Sequence, residues 1–163
     1  MKTPIFLLLL FFAGSSLAQK APQFTLPDLN GDSVSLCNFC GKVVVIDFWV
    51  MWCETCREEI PKIHRIHKKY SEKGVAVLGI HLEEKNDGKV KSFVKKAGIS
   101  YTVLLDPEET TADLFAIKGT PSIVIIETAG AIVTKYRELD KKTEKEVYRI
   151  LDSLTAAMPH VPE

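Results

Sequence analysis

Residues 42–56 read KVVVIDFWVMWCETC, and the rest of the chain can be read outward from them. The run 42–50 is β-branched and aromatic with no Gly, Pro or Asn, and it is continuous rather than alternating. That is the pattern of a strand buried on both faces, as in a sheet covered by helices on both sides. After Lys42 its one charge is Asp47, and a bare carboxylate in such a run is costly to bury. Directly behind the strand come Cys53 and Cys56, and a helical period then starts over 55–71, with Ile60, Ile63, Ile66, His67 and Tyr70 on one side.

Further out, 75–81 (VAVLGIH) is a second buried strand, and 89–97 has helical spacing that stops at Gly98. A short strand at 101–105, a short helix at 110–117 and a strand at 122–127 follow. Residues 131–136, after the turn Thr128-Ala129-Gly130, suggest an antiparallel hairpin. Residues 144–157 close the chain as an amphipathic helix with Val147, Ile150, Leu151 and Leu154 inward. Upstream, 21–36 reads as short strands joined at Asn30-Gly31-Asp32. The fold class is therefore α/β, a mixed central sheet with helices on both faces and an N-terminal β extension.

The 163 residues carry 21 basic and 21 acidic side chains, a neutral balance that argues against a nucleic-acid binder held by phosphate contacts, which needs a basic face. Residues 1–18 read as a secretory signal peptide, with Lys2, the apolar run 5–13 and the small residues Ser16 and Ala18 before Gln19. The apolar run is too short to span ~30 Å of hydrocarbon comfortably. Residues 19–163 then form one domain outside the cytoplasm, periplasmic or secreted, where thiols tend to be oxidised. All four cysteines (Cys37, Cys40, Cys53 and Cys56) remain in it.

A Cys-x-x-Cys directly after a buried strand and opening a helix is a specific redox signal. Cys53 falls at the helix N-terminus, where free N–H groups and the helix dipole favour an anion. Such a site lowers a thiol's pKa from ~8.5 into the range ~3.5–7.5, making Cys53 the attacking sulfur and Cys56, one turn on, the resolving one. The rival is a metal-binding module. Cys37-x-x-Cys40 upstream gives the spacing C-x2-C-x12-C-x2-C of a zinc ribbon. That reading requires 42–50 to be a hairpin, and the run has no turn residues. A copper-delivery protein using His81 would need a longer cysteine spacing, and His64 and His67, at i and i+3, have no third ligand in sequence. No metal or organic cofactor is required.

Several segments together resemble the thioredoxin superfamily, and within it the TlpA/ResA-like periplasmic thiol–disulfide oxidoreductases. They are Ala21-Pro22-Gln23-Phe24-Thr25-Leu26, Gly41-Lys42-Val43-Val44-Val45, Phe48-Trp49, Trp52 through Pro61, and Lys118-Gly119-Thr120-Pro121. The resemblance implies that Pro121 is a cis-proline beside the redox pair. It also implies that Thr120 and Trp52 shape a groove for an extended peptide, and that Pro61 kinks the active-site helix. Asp47 stands where thioredoxins carry an Asp and many TlpA-like chains an Asn, which implies a proton acceptor for Cys56; a solvated edge is the bland alternative. Glu59 matches an acidic residue that influences cysteine acidity in ResA-like members, or is simply a first-turn helical carboxylate interacting with the dipole. Glu54, between the cysteines, opposes the thiolate by charge repulsion, which favours a reductant over a DsbA-like oxidant. The implied partners are protein disulfides or dithiols, among them apocytochrome cysteines, and an upstream electron donor such as a membrane thiol transporter; the implied state is a monomer. Cys37 and Cys40 depart from the family pattern. They form either a local disulfide that stiffens the loop or a second redox couple, a strand's length from the first.

Overall fold

The computed structural model describes residues 19–83 and 87–158, so the segment read as a signal peptide lies outside the described residues. The chain opens with two three-residue strands, β1 (Thr25–Pro27) and β2 (Ser33–Ser35), paired antiparallel. The turn between them is held by the Asp28 carboxylate, which accepts the N–H groups of Asn30 and Asp32 at 2.7 and 2.9 Å. A 3₁₀ turn, Leu36–Phe39, leads into β3 (Val43–Trp49), every residue of which is buried. The unbroken apolar run thus forms one central strand. α1 (Glu54–Tyr70) follows, then β4 (Val75–His81), α2 (Asp87–Ala97), β5 (Thr102–Leu105), α3 (Thr110–Leu114), β6 (Ser122–Ile126), β7 (Ile132–Tyr136) and α4 (Lys141–Ala156).

The main sheet has the order β5-β4-β3-β6-β7. β4 runs parallel to β3 and β5 parallel to β4, while β6 is antiparallel to β3 and β7 to β6, so the 128–130 turn does close a hairpin. α4 starts earlier than its apolar period suggests. Asp140 caps it, its carboxylate accepting the Thr143 N–H at 2.7 Å, so the first turn is polar and forms ahead of the buried residues.

β3 turns Asp47 and Phe48 to opposite faces of the sheet. On the Phe48 face, Phe115 at the end of α3 packs against Phe48 (centroids 5.9 Å apart) and Phe24 of the extension packs against Phe115 (6.1 Å). The extension is tied to both sheet edges by bridges from Lys20 to Ala131 and from Asp28 to Leu104. On the other face α1 and α4 pack together. Tyr70 donates its hydroxyl to Asp152 at 2.7 Å, and Lys62 donates to the Leu139 carbonyl at 2.5 Å. Helices therefore cover both faces of a mixed sheet, the thioredoxin arrangement that the sequence implied.

Candidate active site

β3 ends at Trp49, and five residues later, at Glu54, the chain has turned into α1. The reversal is held from β4 and the residues just after it. Leu82 N–H donates to the Trp49 carbonyl at 3.2 Å, and Met51 N–H donates to Glu83 Oε2 at 2.9 Å. The same Glu83 oxygen lies 2.9 Å from Nε2 of His81, a buried ring packed edge-on against Trp49 (centroids 4.7 Å apart). Burial holds the His81 imidazole below its ordinary pKa, against the pull of the Glu83 carboxylate.

Cys53 is the N-cap of α1. Its backbone is extended (φ −75°, ψ 112°), and its Sγ accepts the Cys56 N–H at 3.1 Å. A sulfur thus occupies the position usually taken by a Ser or Asp oxygen, on one of the donors that a helix start leaves free. Cys53 and Cys56 are joined in a disulfide with Cα atoms 5.2 Å apart. Cys56 is 2% exposed and Cys53 9%, whereas the Trp52 side chain beside them is 73% exposed. Only one edge of the pair meets solvent, next to a large aromatic surface.

The Thr120–Pro121 peptide is cis, as the resemblance implied. β6 pairs with β3 through Phe48 opposite Ser122, so Pro121, one residue before, stands at the end of β3 from which the cysteine segment departs. Ser122 Oγ donates to the Gly119 carbonyl at 2.6 Å and closes this loop; Pro121 is buried and Thr120 half-buried. Pro61 lies within α1, which continues past it; the missing N–H leaves the Arg57 carbonyl without its helical donor.

Asp47 does not face a solvated edge. It is 2% exposed, and burial, reinforced by the negative charge of Glu59, pushes its carboxyl up to about 8. Glu59 is also 2% exposed. Its Oε1 accepts the Leu139 N–H at 2.5 Å, and its Oε2 is buried without a protein partner. Burial raises Glu59 too, partly offset by that hydrogen bond and by Lys62. Two buried acids, one from β3 and one from α1, therefore interact by charge.

Beside Asp47 in the sheet register is Gly79 of β4. A methyl group there would sit 2.9 Å from Tyr101 Cε2 and 3.1 Å from Trp49 Nε1. Burial and the Asp47 charge raise the Tyr101 hydroxyl; it and Trp49 Nε1 are buried donors with no protein acceptor. Sequence reasoning missed Glu83 and Tyr101. The available signal for Glu83 was its place just past the C-terminal end of a parallel strand, where α/β sheets hold functional groups. Tyr101 gives no such signal, since it reads as ordinary core.

The remaining candidates lie elsewhere. Cys37 and Cys40 are exposed and unbonded on the 3₁₀ turn at the start of β3, separated from the active pair by the strand's seven residues, about 23 Å. With β3 a single strand, the two pairs cannot share one metal. His64 and His67 have ring centroids 6.5 Å apart; His64 Nδ1 is 3.5 Å from Ser100 Oγ, and the His67 ring packs on Tyr101.

Comparison with known proteins agrees with this geometry. The family model of the AhpC/TSA family matches residues 17–135. The thiol-disulfide oxidoreductase ResA of Bacillus thuringiensis subsp. konkukian is 30% identical over 132 residues, covering 81% of this chain and 76% of that protein. The thioredoxin-like protein YneN of Bacillus subtilis is 30% identical over 141 residues, 85% of this chain and 81% of YneN. Among solved structures, a Chlorobium tepidum protein provisionally named thiol:disulfide interchange protein DsbE superposes with a TM-score of 0.79. It is 29% identical, and the match covers 85% of this chain and 96% of the other.

Proposed function

The chain belongs to the AhpC/TSA family, as a thioredoxin-fold thiol–disulfide oxidoreductase of the ResA type, and from this we propose that it is an extracytoplasmic reductant of protein disulfides. The observation that carries the proposal is the Cys53–Cys56 disulfide capping α1, with Cys53 Sγ accepting a helix-end N–H. That N–H and the helix dipole stabilise a thiolate on Cys53 once the pair is reduced.

In the reduced enzyme, Cys53 thiolate attacks one sulfur of a substrate disulfide; that S–S bond breaks and the substrate's other sulfur leaves as a thiolate. Cys56 passes its proton to the Asp47 carboxylate and attacks Cys53 Sγ. The mixed disulfide breaks, the substrate's second thiolate departs, and Cys53–Cys56 is left oxidised as in the structure. Two electrons have moved to the substrate. Asp47, pushed up to about 8, is matched to a thiol proton near neutral pH, as a general base should be. Glu59 acts through Asp47, holding its proton affinity up by charge. Trp52, Thr120 and Pro121 form the surface on which an extended substrate segment lies. An electron donor outside the chain must return the pair to the dithiol. Glu54 in the first turn opposes the thiolate, which favours the reducing direction.

Two experiments test this. C56S should trap substrates as mixed disulfides on Cys53, and mass spectrometry of the adducts identifies the substrate class, apocytochrome cysteines included. The Cys53–Cys56 potential should lie well below that of DsbA; a value near ~−120 mV contradicts the reductant assignment.

A further inference from the structure

The mechanism above leaves two of the four cysteines unused. Cys37 and Cys40 are both exposed, with Sγ atoms 3.1 Å apart and the Cys40 S–H donating to Cys37 Sγ. The turn that brings them together is fixed without any bond between them. Ser35 Oγ accepts the Cys37 N–H at 3.2 Å, and Asn38 Oδ1 accepts the Ser35 N–H at 2.7 Å. Cys40 N–H donates to the Cys37 carbonyl and Lys42 N–H to the Phe39 carbonyl, each at 3.0 Å.

A bridge here would close a loop of four residues that backbone and capping bonds already hold, so it would add little stability. Solvent reaches both sulfurs, and Cys40 also lines a groove of about 360 Å³ with Phe39, Lys42, Lys20 and Thr128, which leaves room for a partner chain at the sulfur. A pre-assembled, accessible pair that the fold does not need as a staple has the character of an exchanging disulfide.

We propose that Cys37 and Cys40 are a second dithiol/disulfide couple, which exchanges two electrons with an accessible disulfide of another molecule. The thiolate of Cys37, the sulfur that already accepts the hydrogen bond, attacks the partner disulfide and expels one partner thiolate. Cys40 then loses its proton to solvent and attacks Cys37 Sγ, which releases the second partner thiolate and forms Cys37–Cys40. The partner gains both electrons, and its thiolates take up the two protons lost. Because β3 stands between the pairs, exchange with Cys53–Cys56 occurs only between molecules. The proposal is independent of the reductase reading, and its test removes the active-site thiols.

The test uses the full chain carrying C53S/C56S, equilibrated across ratios of reduced to oxidised glutathione, acid-quenched, and counted for free thiols by alkylation and mass. The expected result is reversible, paired loss of both thiols over about two decades of the ratio. A dithiol that persists at every ratio, or a disulfide that survives excess reduced glutathione, overturns the proposal. In a second arm the reduced variant meets an oxidised C37S/C40S copy. Appearance of free Cys53 and Cys56 thiols makes another copy a partner. Transfer in the glutathione arm alone supports the couple with partners other than this chain. Thermal melting of C37S/C40S provides the structural control: a midpoint within a few degrees of the parent is expected, and a collapse of the fold would mark the pair as a staple and overturn the proposal.

Discussion

At the scale of single residues, the account depends on a carboxyl whose proton affinity is raised by its surroundings. Asp47 in the unfolded chain titrates near 3.8, and in the folded protein near 8. Below about pH 4 both states hold the proton and Asp47 costs nothing. Between those limits the unfolded state has lost its proton and the folded state has kept it, so stability falls as pH rises and levels off near 8. D47N removes this titration. Its stability advantage over the parent should grow from pH 4 to pH 8 and reach a few kcal/mol, measured by urea unfolding across pH. The same variant should resolve mixed disulfides more slowly; unchanged kinetics near neutral pH would remove Asp47 from the mechanism. E59Q deletes a like charge. It should move the pH midpoint of the resolving step downward, while burial still holds Asp47 above ordinary carboxylates. A midpoint that does not move would show that Glu59 acts only through its bond to Leu139.

At the scale of elements, the reversal from β3 to α1 is held by β4 and the residues just past it. E83A removes the acceptor for Met51 N–H and for His81. Hydrogen exchange at Met51 should quicken with a stability loss of about 1–2 kcal/mol, and E83Q, which keeps an acceptor oxygen, should recover most of both. G79A pushes a methyl into Tyr101 and Trp49 and should cost about 1–3 kcal/mol, read by denaturant unfolding. These elements also mark how far sequence reading reaches. The identity of β3 was legible because seven consecutive buried side chains leave no other reading, and α1 because Ile60, Ile63, Ile66 and Tyr70 keep helical period. The cysteine pair was legible because its chemistry is local to one strand–helix junction. Glu83 and Tyr101 were not, because what matters is how β4 and β5 bring them beside β3, a relation between segments some thirty or more residues apart. Gly79 likewise looks like a stray glycine in a strand until the neighbouring rings are in place.

At the scale of the whole molecule, the sheet separates two sulfur pairs and gives them different surroundings. One is recessed at a helix start beside a cis-proline; the other is open to water at the far end. The α1–α4 packing and the extension that ties both sheet edges hold the elements that carry the first site. C53S should abolish disulfide reduction outright, whereas C37S/C40S should leave the Cys53 half-reaction intact. The most direct test of the whole account is the rate of iodoacetamide alkylation at Cys53 in the reduced protein as a function of pH. Half-maximal reactivity below pH ~7.5 is expected of a sulfur that caps α1; a midpoint at the ordinary thiol value of ~8.5 would contradict it.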